Sequence, residues 1–195
     1  MTTETLKQVR YTDEREPGFE PKKALVWFII VASVMLFAGL TSAYIVRRGE
    51  GNWESFNLPS LFTFNTVLII VSSIFLQWAF IAAKKDEIGQ IKIALIITLA
   101  LGISFAIGQW YAWGQLVKEA VYFVGNPSGT FVYVISGVHL AHVIVGIIYL
   151  AIMLYQAFRL NIHKKNILQL TMCLTYWHFV GILWVYLYFF FLLNR

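Results

Sequence analysis

Charged residues are scarce in this 195-residue chain, since Asp, Glu, Lys and Arg make up only 13% of it. Soluble globular domains carry about 25% charged residues, so the composition excludes a soluble enzyme, a disordered chain and a nucleic-acid-binding protein. The one cysteine, Cys173, excludes an internal disulfide and a multi-cysteine metal or iron–sulfur site. None of the four prolines interrupts a long apolar run, which argues against the broken helices of many transporters.

Five long runs contain no charged residue at all, and each is long enough for the roughly 20 residues that a transmembrane helix needs. The predicted spans are residues 24–46, 61–83, 93–117, 130–158 and 172–193. The predicted fold class is an all-α integral membrane protein, a five-transmembrane-helix bundle. Short loops predict that consecutive helices are antiparallel and adjacent. The absence of intramembrane charges argues against a carboxylate proton relay or a voltage sensor, although a transporter or channel stays an alternative.

The distribution of Lys and Arg predicts the orientation of the bundle. Eleven of the 15 basic residues fall on the side of the N-terminus, and four fall on the other side. Because cytoplasmic loops are enriched in Lys and Arg, we expect a cytoplasmic N-terminus and a C-terminus outside. Residues 1–23 then form a polar cytoplasmic tail, and residues 24–195 form the membrane domain.

Mildly polar side chains follow one stripe of the second span at steps of three, four and seven residues. In lipid such groups seek partners on neighbouring helices, where each contact contributes about 1 kcal/mol. The stripe therefore predicts contacts between helices. Its members are Asn65, Thr66, Ser72, Ser73 and Gln77.

Three histidines lie inside the predicted spans and are candidates for a functional site. His139 and His142 are three residues apart on one helix, and His178 lies on the last. Together they could bind haem or copper, which makes a membrane haem-binding redox anchor an alternative function. If the cytoplasmic ends of both helices are level, His142 and His178 differ in height by about 15 Å at 1.5 Å per residue. That difference favours neutral histidines hydrogen-bonded between helices or to lipid headgroups.

Around these histidines the sequence resembles subunit III of the haem–copper oxidases, the family of cytochrome c and quinol oxidases. S-G-V-H-L-A-H-V-I-V-G at 136–146 is similar to the family's S-G-x-H-x-x-H-V-x-x-G helix. Y-W-H-F-V-G-I-L-W at 176–184 is similar to its Y-W-H-F-V-D-x-x-W helix. N-T-V-L-I-I-V-S-S at 65–73, the segment at 34–44, and Gln109-Trp110 with Trp113 are similar to further family patterns. The chain would correspond to the last five of the seven helices in longer members.

Three acidic positions of the family pattern are absent from this sequence. Ser33 stands where the family commonly has a buried Glu, and Ala112 replaces the Glu of the Q-x-W-E pattern. Gly181 replaces the Asp of the Y-W-H-F-V-D motif. These departures argue against direct proton handling by this chain and leave packing and lipid roles untouched.

The resemblance implies a non-catalytic accessory subunit of a terminal oxidase in the inner (plasma) membrane of a bacterium. It implies that this chain holds no metal, that partner subunits carry haem and copper, and that phospholipid binds. Oxidase subunit I is the main expected partner, with subunit II and a further respiratory complex as additional ones. The electron donor stays open between cytochrome c and quinol. The residues expected at lipid or inter-helix contacts are His139, His142, His178, Trp177, Asn65 and Gln109.

Overall fold

The computed structural model describes residues 21–159 and 167–194, which form five α-helices. These are α1 (Pro21–Gly49), α2 (Ser60–Lys84), α3 (Ile88–Lys118), α4 (Pro127–Phe158) and α5 (Leu168–Asn194). All five are long and apolar enough to cross a membrane. The prediction of an all-helical chain with five spans is therefore confirmed. Most of the predicted tail, residues 1–20, lies outside the described residues.

The helices extend beyond the charge-free runs by a few residues at most ends. They contain 25 to 32 residues, which is about 38 to 48 Å at 1.5 Å per residue and exceeds the roughly 30 Å of hydrocarbon. The N-terminus of α4 shows how the sequence sets a boundary. Asn126 precedes it and accepts a hydrogen bond from the Ser128 backbone N–H at 3.0 Å, and Pro127 occupies the first helical turn.

Four helices form a ring in which α2 packs on α3, α3 on α4, α4 on α5, and α5 back on α2. Helix α1 lies outside this ring against α4 and α5. The prediction that consecutive helices are adjacent is right for the three pairs from α2 to α5. It is wrong for α1 and α2, which share at most marginal contact.

The connection between α1 and α2 explains this departure. Residues 50–59 run past the N-terminal end of α4, where the Glu54 backbone N–H donates to Asn126 Oδ1 at 3.5 Å. The Trp53 ring contacts the ring of Tyr44 on α1 and that of Phe131 on α4. Ten extended residues reach about 33 Å, which is ample for crossing a helix of about 10 Å diameter.

Hydrogen bonds between helix ends show that the chain runs alternately up and down. The Tyr44 hydroxyl near the end of α1 donates to the Asn194 carbonyl at the end of α5 at 3.0 Å. Thr63 Oγ1, at the start of α2, lies 2.9 Å from the hydroxyl oxygen of Tyr188 on α5. Trp113 Nε1 near the end of α3 donates to Ser136 Oγ of α4 at 3.0 Å. The described N- and C-terminal ends consequently lie at opposite ends of the bundle.

Candidate functional site

His139 lies at the centre of the bundle with its whole side chain buried. Aromatic rings from three other helices surround it, with centroid distances of 6.3 Å to Phe37 of α1, 6.0 Å to Phe105 of α3 and 4.9 Å to Trp184 of α5. Among the described residues, neither ring nitrogen has a hydrogen-bond partner. His139 therefore packs as part of an aromatic core.

His142, one turn further along α4, faces α1. Its Nε2 lies 3.1 Å from Ser33 Oγ, and its Nδ1 lies 2.8 Å from the carbonyl oxygen of Val138. Since a carbonyl only accepts, Nδ1–H is the donor in the second bond. The Ile29 carbonyl lies 2.8 Å from the same Oγ, so this carbonyl and His142 Nε2 share the single hydroxyl hydrogen of Ser33. The Ser33 hydroxyl thus joins α1 to α4.

His178 lies on the side of α5 that faces α2. Its Nε2 is 3.3 Å from Gln77 Oε1. His139 and His142 both contact the ring of Phe37, whereas His178 contacts α2. The described segments gather no group of three His, Cys, Asp or Glu side chains. The arrangement does not bring the histidines together as the redox-anchor alternative requires.

The predicted height difference of about 15 Å between His142 and His178 is wrong, however. Tyr176 of α5 donates its hydroxyl to the His142 carbonyl at 3.0 Å, and Gly146 lies beside Trp177. His142 and His178 are therefore at similar levels. Tyr149 of α4 also donates to the carbonyl of Gln169, which is only the second residue of α5. The last turns of α4 project beyond the start of α5, so the two ends are not level.

Trp177 fills the centre of the ring of four helices. Its Nε1 donates to Ser72 Oγ of α2 at 3.0 Å, and Ser72 Oγ donates to the Ile69 carbonyl at 2.8 Å. Its benzene ring fits between Gly102 of α3 and Gly146 of α4. A Cβ atom added to these glycines would lie 2.8 Å and 2.9 Å from ring carbons. One side chain of α5 thus contacts the three other helices of the ring.

The polar stripe of α2 contacts two helices. Thr66 accepts a hydrogen bond from Trp184 Nε1 of α5 at 3.1 Å, as Ser72 does from Trp177. Asn65 instead turns towards α3, where its Nδ2 donates to Gln109 Oε1 at 3.3 Å. Both amide side chains are fully buried, and among the described residues Asn65 Oδ1 and Gln109 Nε2 have no partner. Gly108 makes room for this pair because a Cβ there would collide with Asn65 Oδ1.

We expect the single substitution Asn65→Leu to lower the free energy of unfolding by about 1–3 kcal/mol, because it leaves the Gln109 amide buried without its partner. The double variant Asn65→Leu/Gln109→Met should be more stable than the sum of the two single effects predicts, since it removes both polar groups. Unfolding by SDS titration in mixed micelles measures all three variants. Effects that add within about 0.5 kcal/mol would contradict the coupling.

The sequence analysis identified Ser33 and Gly181 as departures from the pattern of the resembled family. It could not show which residues they contact. Ser33 contacts His142, and Gly181 faces Ser73, whose Oγ would lie 3.2 Å from an added Cβ. The sequence analysis also did not predict that Trp177 packs against Gly102 and Gly146. Its signal in the sequence was a glycine in the middle of each of two spans, at positions where a packing reason is the usual one.

This chain matches known proteins over most of its own length and of theirs. The profile of the family described as "Cytochrome c oxidase subunit III" matches residues 20–194. A protein of Nocardia farcinica named "Probable cytochrome c oxidase subunit 3" is 32% identical over 181 residues, covering 88% of this chain and 86% of that protein. The "Cytochrome c oxidase subunit 3" of Corynebacterium diphtheriae is 29% identical, covering 80% and 79%. A "Probable quinol oxidase subunit 3" of Staphylococcus saprophyticus is 26% identical, covering 90% of each.

Proposed function

Because this chain belongs to the cytochrome c oxidase subunit III family, we propose that it is the non-catalytic accessory subunit of a proton-pumping terminal oxidase. Its family makes it a multi-pass membrane component of an oxidase complex. In that complex it packs against subunit I, which with subunit II carries haem and copper. It supports the stability of the catalytic subunit and sustains proton uptake. The complex lies in a bacterial plasma membrane and transfers electrons to oxygen.

The observation that supports this proposal is that polar side chains within the membrane form hydrogen bonds between the helices of this chain. Trp177, Trp184, Asn65 and His142 each place one polar atom against a side chain of another helix of the bundle. Contacts of this kind join helices to one another. A bundle held together in this way suits a subunit that acts by packing beside a catalytic partner.

The names of the relatives include two electron donors, and cytochrome c is the donor we propose. The two relatives at 32% and 29% identity are named as cytochrome c oxidase subunits. Quinol is the second candidate, supported by the relative at 26% identity. The purified complex separates them directly, through oxygen consumption with reduced cytochrome c or with a quinol as the only donor.

We also propose that the N-terminus is cytoplasmic, as the excess of Lys and Arg on that side indicates. The described α1 begins at this end of the bundle with Pro21 and Lys23.

At the same end, a groove of about 410 Å³ runs between α1, α4 and α5, where the apolar Ile29, Val145 and Ile152 line it together with Tyr149. Its apolar walls support the proposal that the subunit binds a phospholipid chain.

The proposed function is tested by purifying the tagged chain from its own membranes in mild detergent and identifying the co-purifying proteins. A large haem–copper subunit and a copper-bearing subunit, both in stoichiometric amounts, are the expected result. Recovery of the folded chain without a haem–copper subunit would contradict the proposal.

Replacing His142 with leucine should weaken retention of this chain in the complex about fivefold and leave the haem spectrum unchanged. The substitution removes the hydrogen bond to Ser33 that holds α1 against α4, and one such bond in a membrane contributes about 1 kcal/mol. The ratio of this chain to the haem–copper subunit after purification measures retention. His142→Gln, which keeps a hydrogen-bonding group, should retain most of it. Loss of a haem band in the His142→Leu complex would instead make this histidine a ligand.

A further inference from the structure

A groove follows the outer surface of the bundle between α2 and α3, and we call it the α2–α3 groove. Leu61 and Phe64 of α2 line one side, and one face of α3 between Ser104 and Lys118 lines the other. Its volume is about 560 Å³, which falls within the range of about 300–1,000 Å³ for ligand sites. Since Leu61 lies at the start of α2 and Lys118 at the end of α3, the groove lies in the half of the bundle opposite the start of α1.

The mouth of the groove lies at the level of the lipid headgroups. Helix α3 contains 31 residues, which is about 46 Å and matches the roughly 40–45 Å of a bilayer with its headgroups. Lys118 is the last residue of α3 and therefore reaches the headgroup layer. Gln115 lies one turn deeper, at about 4.5 Å along the helix axis, which is still within the roughly 5–7 Å that the headgroups add on each side.

The deeper part of the groove is apolar in character. Ile107 and Gly108 lie about 15 Å from Lys118 along α3, within the hydrocarbon. Ser104 lies deeper still, and its hydroxyl donates to the Ala100 carbonyl at 2.9 Å, so it needs no further partner. The lining thus changes along one line from a cation to an amide to an apolar floor.

The two polar side chains at the mouth keep their donors available. Lys118 is the one charged residue that lines the groove, and among the described residues it forms no ion pair. Glu119, the next residue, lines a different cavity together with Asn126. The Gln115 amide likewise has no hydrogen-bond partner within the described part of the chain. A cation between helices at this level attracts a lipid phosphate.

Gly114 lies in the groove without a packing reason inside this chain. Nothing is within 4 Å of a Cβ added there, and glycine is a poor helix former. Gly108 is different, because an added Cβ would collide with Asn65 Oδ1. The absence of a side chain at Gly114 leaves the floor of the groove low just below the Lys118 and Gln115 level, where a ligand would pass from the headgroup layer into the hydrocarbon.

We propose that the α2–α3 groove holds one phospholipid of the leaflet opposite the N-terminus. Its phosphate pairs with the Lys118 ammonium, a glycerol ester carbonyl accepts from the Gln115 amide, and an acyl chain passes Gly114 and lies over Gly108. This order of groups is that of a phospholipid, and the order of the lining matches it. The inference goes beyond the proposed function, because the site lies at the other end of the bundle from the groove between α1, α4 and α5 and needs no particular partner subunit.

The first test places a photo-crosslinking benzoylphenylalanine in the tagged chain purified with its complex from native membranes. Tyr111 lines the groove and is 67% exposed. Trp110 is the matched control, because it lies beside Tyr111 at the same depth, is 69% exposed and does not line the groove. We expect the phospholipid adduct at position 111 to survive detergent washing before irradiation, whereas the adduct at position 110 falls at least fivefold. Equal losses at both positions, or cross-links from position 111 to a protein, would overturn the inference.

The second test fills the groove. Gly114→Phe places a ring on its floor, and Gly39→Phe on α1 is the matched control, since nothing lies within 4 Å of a Cβ added at either glycine. Mass spectrometry of the intact washed protein counts the phospholipids that each variant retains. We expect Gly114→Phe to lower the occupancy of one tightly held phospholipid about tenfold and Gly39→Phe to leave it unchanged. Equal occupancy in the two variants would contradict the site.

The third test addresses the phosphate contact and does not alter the groove floor. Lys118→Gln should lower the same occupancy about fivefold, because it removes one cation at headgroup level. Lys118→Arg keeps the charge and should retain wild-type occupancy. A Lys118→Gln protein that holds its phospholipid as tightly as the wild-type chain would show that Lys118 does not bind the phosphate and would overturn the proposed binding mode.

Discussion

Replacing Trp177 with alanine should lower the free energy of unfolding by about 3–5 kcal/mol. The side chain is buried between three helices, where it donates to Ser72 and fills the space beside Gly102 and Gly146. In a membrane the stability of helix packing comes from close contacts and interhelical hydrogen bonds, and this substitution removes both at one point. Unfolding of the purified chain by SDS titration in mixed micelles measures the effect.

Trp27→Ala is the matched control for this experiment. Trp27 belongs to α1 and is 59% exposed, so the same change in side-chain volume leaves no internal cavity. We expect it to change the free energy of unfolding by less than about 0.5 kcal/mol. Similar losses from Trp27→Ala and Trp177→Ala would contradict the central role of Trp177 in packing.

Gly146→Ala should destabilise the bundle by about 1–3 kcal/mol, because the added methyl group would lie 2.9 Å from the ring of Trp177. In an open position the same substitution stabilises a helix by up to about 1 kcal/mol, since alanine has the higher helix propensity. Gly39 provides such a position, because nothing lies within 4 Å of a Cβ added there. SDS titration of Gly146→Ala and Gly39→Ala should therefore give effects of opposite sign.

A second substitution identifies the cause of this effect. Trp177→Phe removes the ring atoms that approach position 146, so Gly146→Ala should cost much less in the Trp177→Phe background than in the wild-type chain. A penalty of unchanged size in that background would show that the collision lies elsewhere.

The spans could be predicted because the physical signal is local. A stretch without charge that is long enough for the bilayer forms a helix whatever its neighbours are, and each described helix contains one predicted span. The structure extends the helices at most ends, because headgroup-level residues such as Lys84 and Lys118 continue the last turn. Loops of similar length, by contrast, do not specify neighbours, and α1 packs on α4 and α5 instead of α2.

The candidate site could be predicted only residue by residue. Membrane depth and residue type selected His142 and Asn65, and the family resemblance added Trp177, but their partners depend on which helices meet and on how they rotate. The contacts of His142 with Ser33 and of Trp177 with Gly102 bridge distant parts of the sequence. The assumption of level helix ends failed for the same reason, because helices of 32 and 27 residues need not begin and end together.

The central claim is that this chain accompanies the redox centres of an oxidase without holding them. The most direct measurement is a reduced-minus-oxidised spectrum of the tagged chain, recorded first in the complex purified in mild detergent and again after a harsher detergent has separated the subunits. The account predicts a haem signal in the complex that leaves with the large subunit and is absent from the isolated, folded chain. Haem that stays with this chain alone would contradict the account and make its intramembrane histidines ligands.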